Sequence, residues 1–183
     1  MGSQATIQPD FKSFAEAYKK GASQLVWCVL PADMETPVSA YRALEEEGYS
    51  ALFESVIGGD TRGRYSIICL KPDIIWRCKG NHAEINRQAH LHPKAFEVEE
   101  MHPFESLRLL LKESECEIPA ALPPMAAGVY GFMGYDMVRL MEDLPEPKKD
   151  PIGIPDSVFF RPKLLLIFDH VKDELILVSP CYY

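Results

Sequence analysis

Short runs of apolar, often β-branched residues, separated by turn-forming residues, recur along most of this 183-residue chain. Runs of this length are typical of strands, whereas an amphipathic helix places apolar residues at every third or fourth position over a longer stretch. The runs lie at 24–30, 51–57, 64–70, 73–78, 82–86, 158–169 and 174–179. The last two flank the sequence Asp-His-Val-Lys-Asp at 169–173, which predicts a hairpin. The chain must therefore build a sheet of mostly antiparallel strands.

Helical spacing appears between these runs. The apolar positions predict helices over Phe11–Lys20 and Pro103–Lys112. Another helix is predicted to begin after Thr36, which can cap free backbone amides, and to end before Gly48. A short helix is predicted near 135–141.

Two segments have neither the apolar runs of strands nor the spacing of helices. Residues 88–100 are polar and are predicted to form a loop, and residues 143–155 contain Pro at 145, 147, 151 and 155, which excludes a regular helix. The aromatic side chains of Tyr130, Phe132 and Tyr135 are expected in the core. Strand runs mixed with helices predict an α+β fold, a mostly antiparallel twisted sheet with packed helices.

The balance of charged residues restricts the partners. The chain has 19 Lys and Arg against 27 Asp and Glu, a net charge of −8, which argues against binding to nucleic acid or to an anionic membrane. No run is long enough to span a membrane, and the N-terminus does not resemble a secretory signal. The 5 cysteines are widely spaced without a Cys-x-x-Cys pair, which favours a reducing, cytoplasmic location.

Residues capable of catalysis or metal binding do not fall into a known spacing. The histidines at 82, 90, 92 and 102 are not paired four apart on a helix, and the sequence has no Gly-x-Ser-x-Gly. The segment Gly58–Arg64 has two arginines in flexible backbone and could hold an anion. However, it precedes a strand and lacks the ending of a phosphate-binding loop, so a hairpin turn is the alternative. We predict no catalytic and no metal-binding residue in this chain.

Four separated segments, taken in order, resemble one enzyme family. They are Thr-Pro-Val-Ser-Ala-Tyr at 36–41; Leu-Phe-Glu-Ser at 52–55 with Gly-Gly at 58–59 and Gly-Arg-Tyr-Ser at 63–66; Gly-Val-Tyr-Gly-Phe-Met-Gly-Tyr-Asp at 128–136; and Arg-Pro at 161–162 with Phe-Asp-His at 168–170. The chain resembles the N-terminal domain of the large component of anthranilate synthase, from about residue 11 onward. One departure is Phe53, where the family usually has leucine, which alters a pocket wall.

This resemblance implies an activity for the whole enzyme. Ammonia is added to chorismate and pyruvate leaves, giving anthranilate for tryptophan biosynthesis. The resemblance implies Mg²⁺ as cofactor, bound with the catalytic residues in a longer C-terminal chorismate-binding domain, and a glutamine amidotransferase subunit as the partner that supplies ammonia. We therefore expect residues 1–183 to be the regulatory N-terminal domain and to be inactive alone.

The resemblance also implies a site for tryptophan, the end product and allosteric inhibitor, with the Leu-Glu-Ser-like strand as one wall. The residues that it implies are Phe53, Glu54, Ser55, Arg64, Tyr65 and Ser66. By their chemistry, Glu54 can attract the ammonium of an amino acid and Arg64 its carboxylate. Ser55 can bond the polar head, although bonding to its own strand is the alternative without the resemblance. Since a second domain would supply further walls, we expect weak tryptophan binding by this chain alone.

Other interpretations of the sequence stay open. The large component of aminodeoxychorismate synthase is similar in this region, although the sequence Gly-Gly-Asp-Thr-Arg-Gly-Arg-Tyr-Ser favours anthranilate synthase. A stand-alone binding or interaction module is an alternative of another class. The chain ends in the apolar sequence Leu-Ile-Leu-Val-Ser-Pro-Cys-Tyr-Tyr, from which we expect it to be a piece of a longer protein.

Overall fold

A computed structural model describes residues 5–44, 48–56, 62–145 and 150–183, with the side chains of Val56 and Arg62 left out. The helices and strands, in chain order, are α1 (Phe11–Lys19), β1 (Gln24–Pro31), α2 (Pro37–Leu44), β2 (Ala51–Val56), β3 (Arg62–Lys79), β4 (His82–Asn86), β5 (Glu97–Glu99), α3 (Pro103–Glu113), β6 (Tyr130–Met133), a 3₁₀ helix (Tyr135–Leu140), β7 (Ser157–Asp169) and β8 (Glu174–Cys181). The chain divides into two compact units. The first comprises Met1–Pro72, Ser114–Gly128 and Pro162–Tyr183, and the second comprises Asp73–Glu113 and Val129–Arg161.

In the first unit, strands occur in the order β1-β8-β7-β3, and β2 also pairs with β3. β8 is antiparallel to both of its neighbours, which confirms the predicted terminal hairpin. The core of this unit is a cluster of buried apolar side chains from α2 and the strands: Ala40, Ile68, Leu70, Leu166, Phe168 and Leu175. α2 begins as predicted, since the backbone N–H of Ser39 donates to the Thr36 hydroxyl at 3.1 Å.

In the second unit, the later part of β3 pairs with β4, β4 pairs with β5, and β6 pairs with the start of β7, all antiparallel. Its core comprises Ile74, Trp76, Cys78, Ala83, Ile85, Leu107, Leu110 and Met137. The buried indole of Trp76 donates to the Ser106 hydroxyl at 2.9 Å, so α3 is fixed to this unit by a satisfied polar bond as well as by packing.

The predicted α+β class, with a mostly antiparallel sheet, is confirmed, and three local predictions are wrong. The segments 64–70 and 73–78 belong to one strand, since β3 continues through Lys71, which has φ 53°, and Pro72. The predicted loop at 88–100 contains the short strand β5. Phe132 and Tyr135, expected in the core, are 47% and 86% exposed because they belong to a short strand and a 3₁₀ helix at the surface.

Some predictions lie outside the described residues. These are the bend at Gly58–Asp60 and Pro147 of the proline-containing segment 143–155. Among the described residues, no helix is long and apolar enough to cross a membrane.

Candidate ligand-binding site

The end of the β2–β3 ladder is irregular at the position of the predicted site. Phe53 pairs with Ile67 and Glu54 with Ser66, but the register then shifts, so that Val56 pairs with Arg62. Ser55 lies at this bulge, and bulges commonly redirect a side chain at a functional position. A Cβ at position 63 would overlap the Ser55 side chain and carbonyl, so that glycine is required there for the strands to approach.

A cleft of about 410 Å³ opens beside this bulge, within the range typical of small-molecule sites. It is lined by Phe53, Glu54, Ser55, Arg64, Tyr65, Ile67 and Met125. Phe53 and Ile67 are a cross-strand pair and so share one face of the ladder. Glu54 pairs with Ser66 on the alternate face, so the cleft lies where the regular ladder ends and is lined by residues of both faces: an apolar wall, an acid, a hydroxyl and a guanidinium.

The guanidinium of Arg64 is bound side-on by a carboxylate. Its Nη2 donates to Asp169 Oδ2 at 2.9 Å, and its Nε lies 3.2 and 3.3 Å from the two Asp169 oxygens. These bonds raise the pKa of Arg64 and lower the pKa of Asp169, so both groups are charged at neutral pH. The guanidinium carbon also lies 4.8 Å from the centroid of the Tyr65 ring. Arg64 is thus held in one orientation at the cleft.

Several known proteins are similar to this chain over most of its length. No protein-family model matches the chain. Anthranilate synthase component 1 of Cereibacter sphaeroides is 47% identical over 173 residues, covering 94% of this chain and 35% of that protein. The same component of Thermus thermophilus is 37% identical over 150 residues (81% of this chain, 30% of that protein), and that of Synechocystis is 32% identical over 172 residues (92% and 33%).

The chain belongs to the anthranilate synthase component 1 family. It spans about a third of the length of these relatives. The crystal structure of anthranilate synthase component I from Streptococcus pneumoniae TIGR4 matches with a TM-score of 0.50 and 24% identity, covering 80% of this chain and 30% of that one. This likeness supports the α+β fold.

Five of the six residues that the family resemblance implied line the cleft. Glu54 and Ser55 are exposed and Phe53 and Tyr65 are half-buried, so all four are accessible to a ligand. Arg64 also lines the cleft, and the structure adds to its predicted role as partner of a ligand carboxylate that it is already paired with Asp169.

Ser66 is placed differently from the prediction. It is buried, 3% exposed, and its hydroxyl lies 2.8 Å from Nε2 of His170. Ser66 is not among the residues that line the cleft, because it follows Tyr65 in the strand and points to the other face, with Ile68 of the core. Its contact with His170 supports a role in packing β3 against the end of β7.

Three further residues of this site were not predicted from the sequence. Ile67 could have been found from the period of two, since it is two residues from Tyr65 on β3. Met125 comes from a segment without strand or helix, and no local signal indicates it. Asp169 belongs to a segment quoted for the resemblance, but no spacing connects it with Arg64 before the sheet is known.

The described residues offer no metal-binding cluster and no activated thiol among the cysteines with shifted pKa values. No group of three or more His, Cys, Asp or Glu side chains within the described ranges could hold a metal ion. Burial raises the pKa of Cys78 to about 11 and also raises those of Cys69, Cys116 and Cys181. These four thiols are therefore poor nucleophiles at neutral pH.

Proposed function

We propose that this chain is the N-terminal, regulatory part of an anthranilate synthase component I. The longer protein would convert chorismate and ammonia to anthranilate and pyruvate in the cytoplasm, and this part alone would be inactive. Similarity to such proteins over 94% of the chain supports the proposal. The catalytic residues, chorismate and Mg²⁺ would belong to the rest of the protein, since the described residues do not fit a metal site. A glutamine amidotransferase subunit would supply the ammonia.

The observation that carries the regulatory proposal is the cleft beside β2, where groups suited to a zwitterionic aromatic amino acid converge. Glu54 would attract the ammonium of tryptophan, and the Ser55 hydroxyl would bond its polar head. The indole would rest on Phe53, Ile67 and Met125, which provide the apolar wall. A few polar groups on an apolar surface are the usual composition of a small-molecule site.

Inhibition would arise as a coupling free energy. Tryptophan can inhibit only if it binds one arrangement of the whole enzyme better than another, and such couplings are typically about 1 to 3 kcal/mol. A cleft that is open on its outer side would be completed by the rest of the protein in the inhibited arrangement. Tryptophan would then favour that arrangement through the additional contacts.

The proposal is tested on the full-length enzyme with its amidotransferase subunit. We expect fluorescent anthranilate as the product, and formation of the para-amino isomer would instead support aminodeoxychorismate synthase. Ser55→Phe should raise the inhibition constant for tryptophan about tenfold or more, because the ring fills the cleft. Ser13→Phe, on the exposed face of α1, is the matched control and should leave inhibition unchanged. Equal tryptophan sensitivity of the two variants would contradict the assigned site.

A further inference from the structure

The carboxylate that holds Arg64 lies on the terminal hairpin and does not line the cleft. The Asp169 side chain is 3% exposed, whereas that of Arg64 is 49% exposed. The arginine therefore meets solvent and ligands, and the aspartate acts on them through the arginine. This separation distinguishes a residue that positions the cleft from one that touches the ligand.

The turn of the hairpin holds both the Asp169 side chain and the backbone beside Arg64. The backbone N–H of Val171 donates to Asp169 Oδ1 at 3.1 Å, and the backbone N–H of His170 donates to the Arg64 carbonyl at 2.9 Å. The backbone of β3 and the acid that binds its side chain are thus fixed by consecutive residues of one turn. A carboxylate held within its own turn, beside a fixed backbone, can impose a geometry on a flexible arginine.

The same bonds change the electrostatics of the cleft. Nε and Nη2 of Arg64 are directed to Asp169, and Nη1 has no hydrogen-bond partner among the described residues. The charge of Arg64 is balanced by Asp169, so the remaining charged side chain among the described lining residues is Glu54. A ligand carboxylate therefore meets a neutralised pair, while a ligand ammonium meets an unbalanced acid.

We propose that Asp169 is a positioning and specificity-determining residue, which fixes Arg64 side-on and neutralises it, so that the cleft selects ligands by their ammonium group more than by their carboxylate. This inference rests on the proposed function, in which the ligand is an aromatic amino acid. It goes further by naming the residue that sets the preference and the ligand group that is preferred.

The test compares two halves of the tryptophan zwitterion as inhibitors of the full-length enzyme. Tryptamine has the ammonium without the carboxylate, and indole-3-propionate has the carboxylate without the ammonium. In the unmodified enzyme, tryptamine should inhibit at lower concentration. Asp169→Asn keeps an acceptor for Val171 but removes the balancing charge. It should strengthen inhibition by indole-3-propionate and weaken inhibition by tryptamine, each about threefold.

The chain supplies a matched control in a second side-on pair, Arg161 with Asp73, which does not line the cleft. Asp73→Asn should change both inhibition constants by the same factor or not at all. The double variant Arg64→Gln with Asp169→Asn replaces one neutral pair by another. It should return the ratio of the two constants to within about twofold of the original. Each constant is measured against the uninhibited rate of the same variant.

The outcomes separate this inference from the proposed function. Opposite shifts of the two inhibition constants in Asp169→Asn support the inference. If both inhibitors weaken in parallel while tryptophan still inhibits the original enzyme, the inference is overturned and the proposed function is not. Inhibition of the original enzyme by tryptophan but not by tryptamine also overturns the inference. If Asp169→Asn does not fold, the double variant is the test. A change of about threefold in the ratio of the two inhibition constants, in favour of tryptamine, would show that Arg64 had attracted the carboxylate and would overturn the inference. An original enzyme that tryptophan does not inhibit overturns both proposals.

Discussion

The Arg64–Asp169 pair of the first unit and the Arg161–Asp73 pair of the second share one geometry but differ in exposure. In both, an arginine presents Nε and Nη2 to a carboxylate. The second pair is shorter, with Nε at 2.9 Å and Nη2 at 2.7 Å, and its arginine side chain is 10% exposed, against 49% for Arg64. Arg161 also donates to the carbonyl of Glu113, the last residue of α3.

The difference shows that burial decides what a side-on pair does. Arg161 donates to Asp73 and to the carbonyl of Glu113, so this pair connects β7, β3 and α3 of the second unit. Arg64 has its acid buried and its guanidinium at a cleft, so the same chemistry presents an oriented group to a ligand. One pair is therefore expected to act on stability and the other on recognition.

The largest effect that tests this comparison is the loss of stability in Asp73→Asn. Removing one partner of a buried ion pair leaves an uncompensated charge, which typically costs about 3 to 5 kcal/mol. We expect a loss of about 3 kcal/mol, since the asparagine keeps one acceptor, measured by urea unfolding. Asp169→Asn should cost distinctly less, because the arginine that it leaves is half exposed. Equal losses in the two variants would contradict the distinction.

A smaller effect is expected from Gly63→Ala, next to Arg64. The added methyl group would overlap the side chain and carbonyl of Ser55, so β2 and β3 must separate at the bulge. Overpacking of this kind typically costs about 1 to 3 kcal/mol, and displacement of Ser55 should also weaken inhibition by tryptophan.

The control for this change is Gly80→Ala in the turn after β3. Gly80 has φ +56° and open space around it, so alanine there costs backbone strain of about 1 kcal/mol without steric overlap. Both variants should unfold more easily, but a loss of tryptophan inhibition is expected for Gly63→Ala alone. Unchanged inhibition in Gly63→Ala would show that the bulge does not shape the cleft.

The elements of the fold could largely be predicted because their signals are local. Short apolar runs, the Thr36 cap and the turn of the terminal hairpin at 169–173 each act within a few residues. β3 was predicted as two strands because Lys-Pro at 71–72 has the composition of a turn, and its continuation depends on pairing with distant strands. Local composition does not contain that pairing.

The residues of the site also divide into those with a local sequence signal and those that only the fold brings together. Phe53, Ser55 and Tyr65 were found because they lie within or beside a short recognisable sequence. Asp169 is 105 residues from Arg64 in the chain, and Met125 belongs to an irregular segment. Neither the ion pair of Asp169 nor the place of Met125 in the cleft could therefore be assigned before the strands were arranged. The sequence indicated Arg64 as a partner of a ligand carboxylate, and only the fold shows that Asp169 is paired with it as well.

The smallest expected effect is the pH dependence that Asp169 confers on stability. Arg64 lowers the pKa of Asp169 in the folded protein below its unfolded value of about 3.9. A carboxyl group with a lowered folded pKa contributes stability above the unfolded pKa, and this contribution is lost as the pH falls through the folded pKa. The unfolding free energies of the original protein and Asp169→Asn should therefore differ by a constant amount between about pH 5 and 7. The difference should shrink below about pH 4, because the protonated acid then resembles the amide.

Asp10 and Asp150, whose pKa values are also lowered, are present in both proteins and cancel in the difference. A difference that stays constant down to about pH 2 would show that Asp169 is not held by Arg64, and the contrast between the two pairs would then reduce to exposure alone.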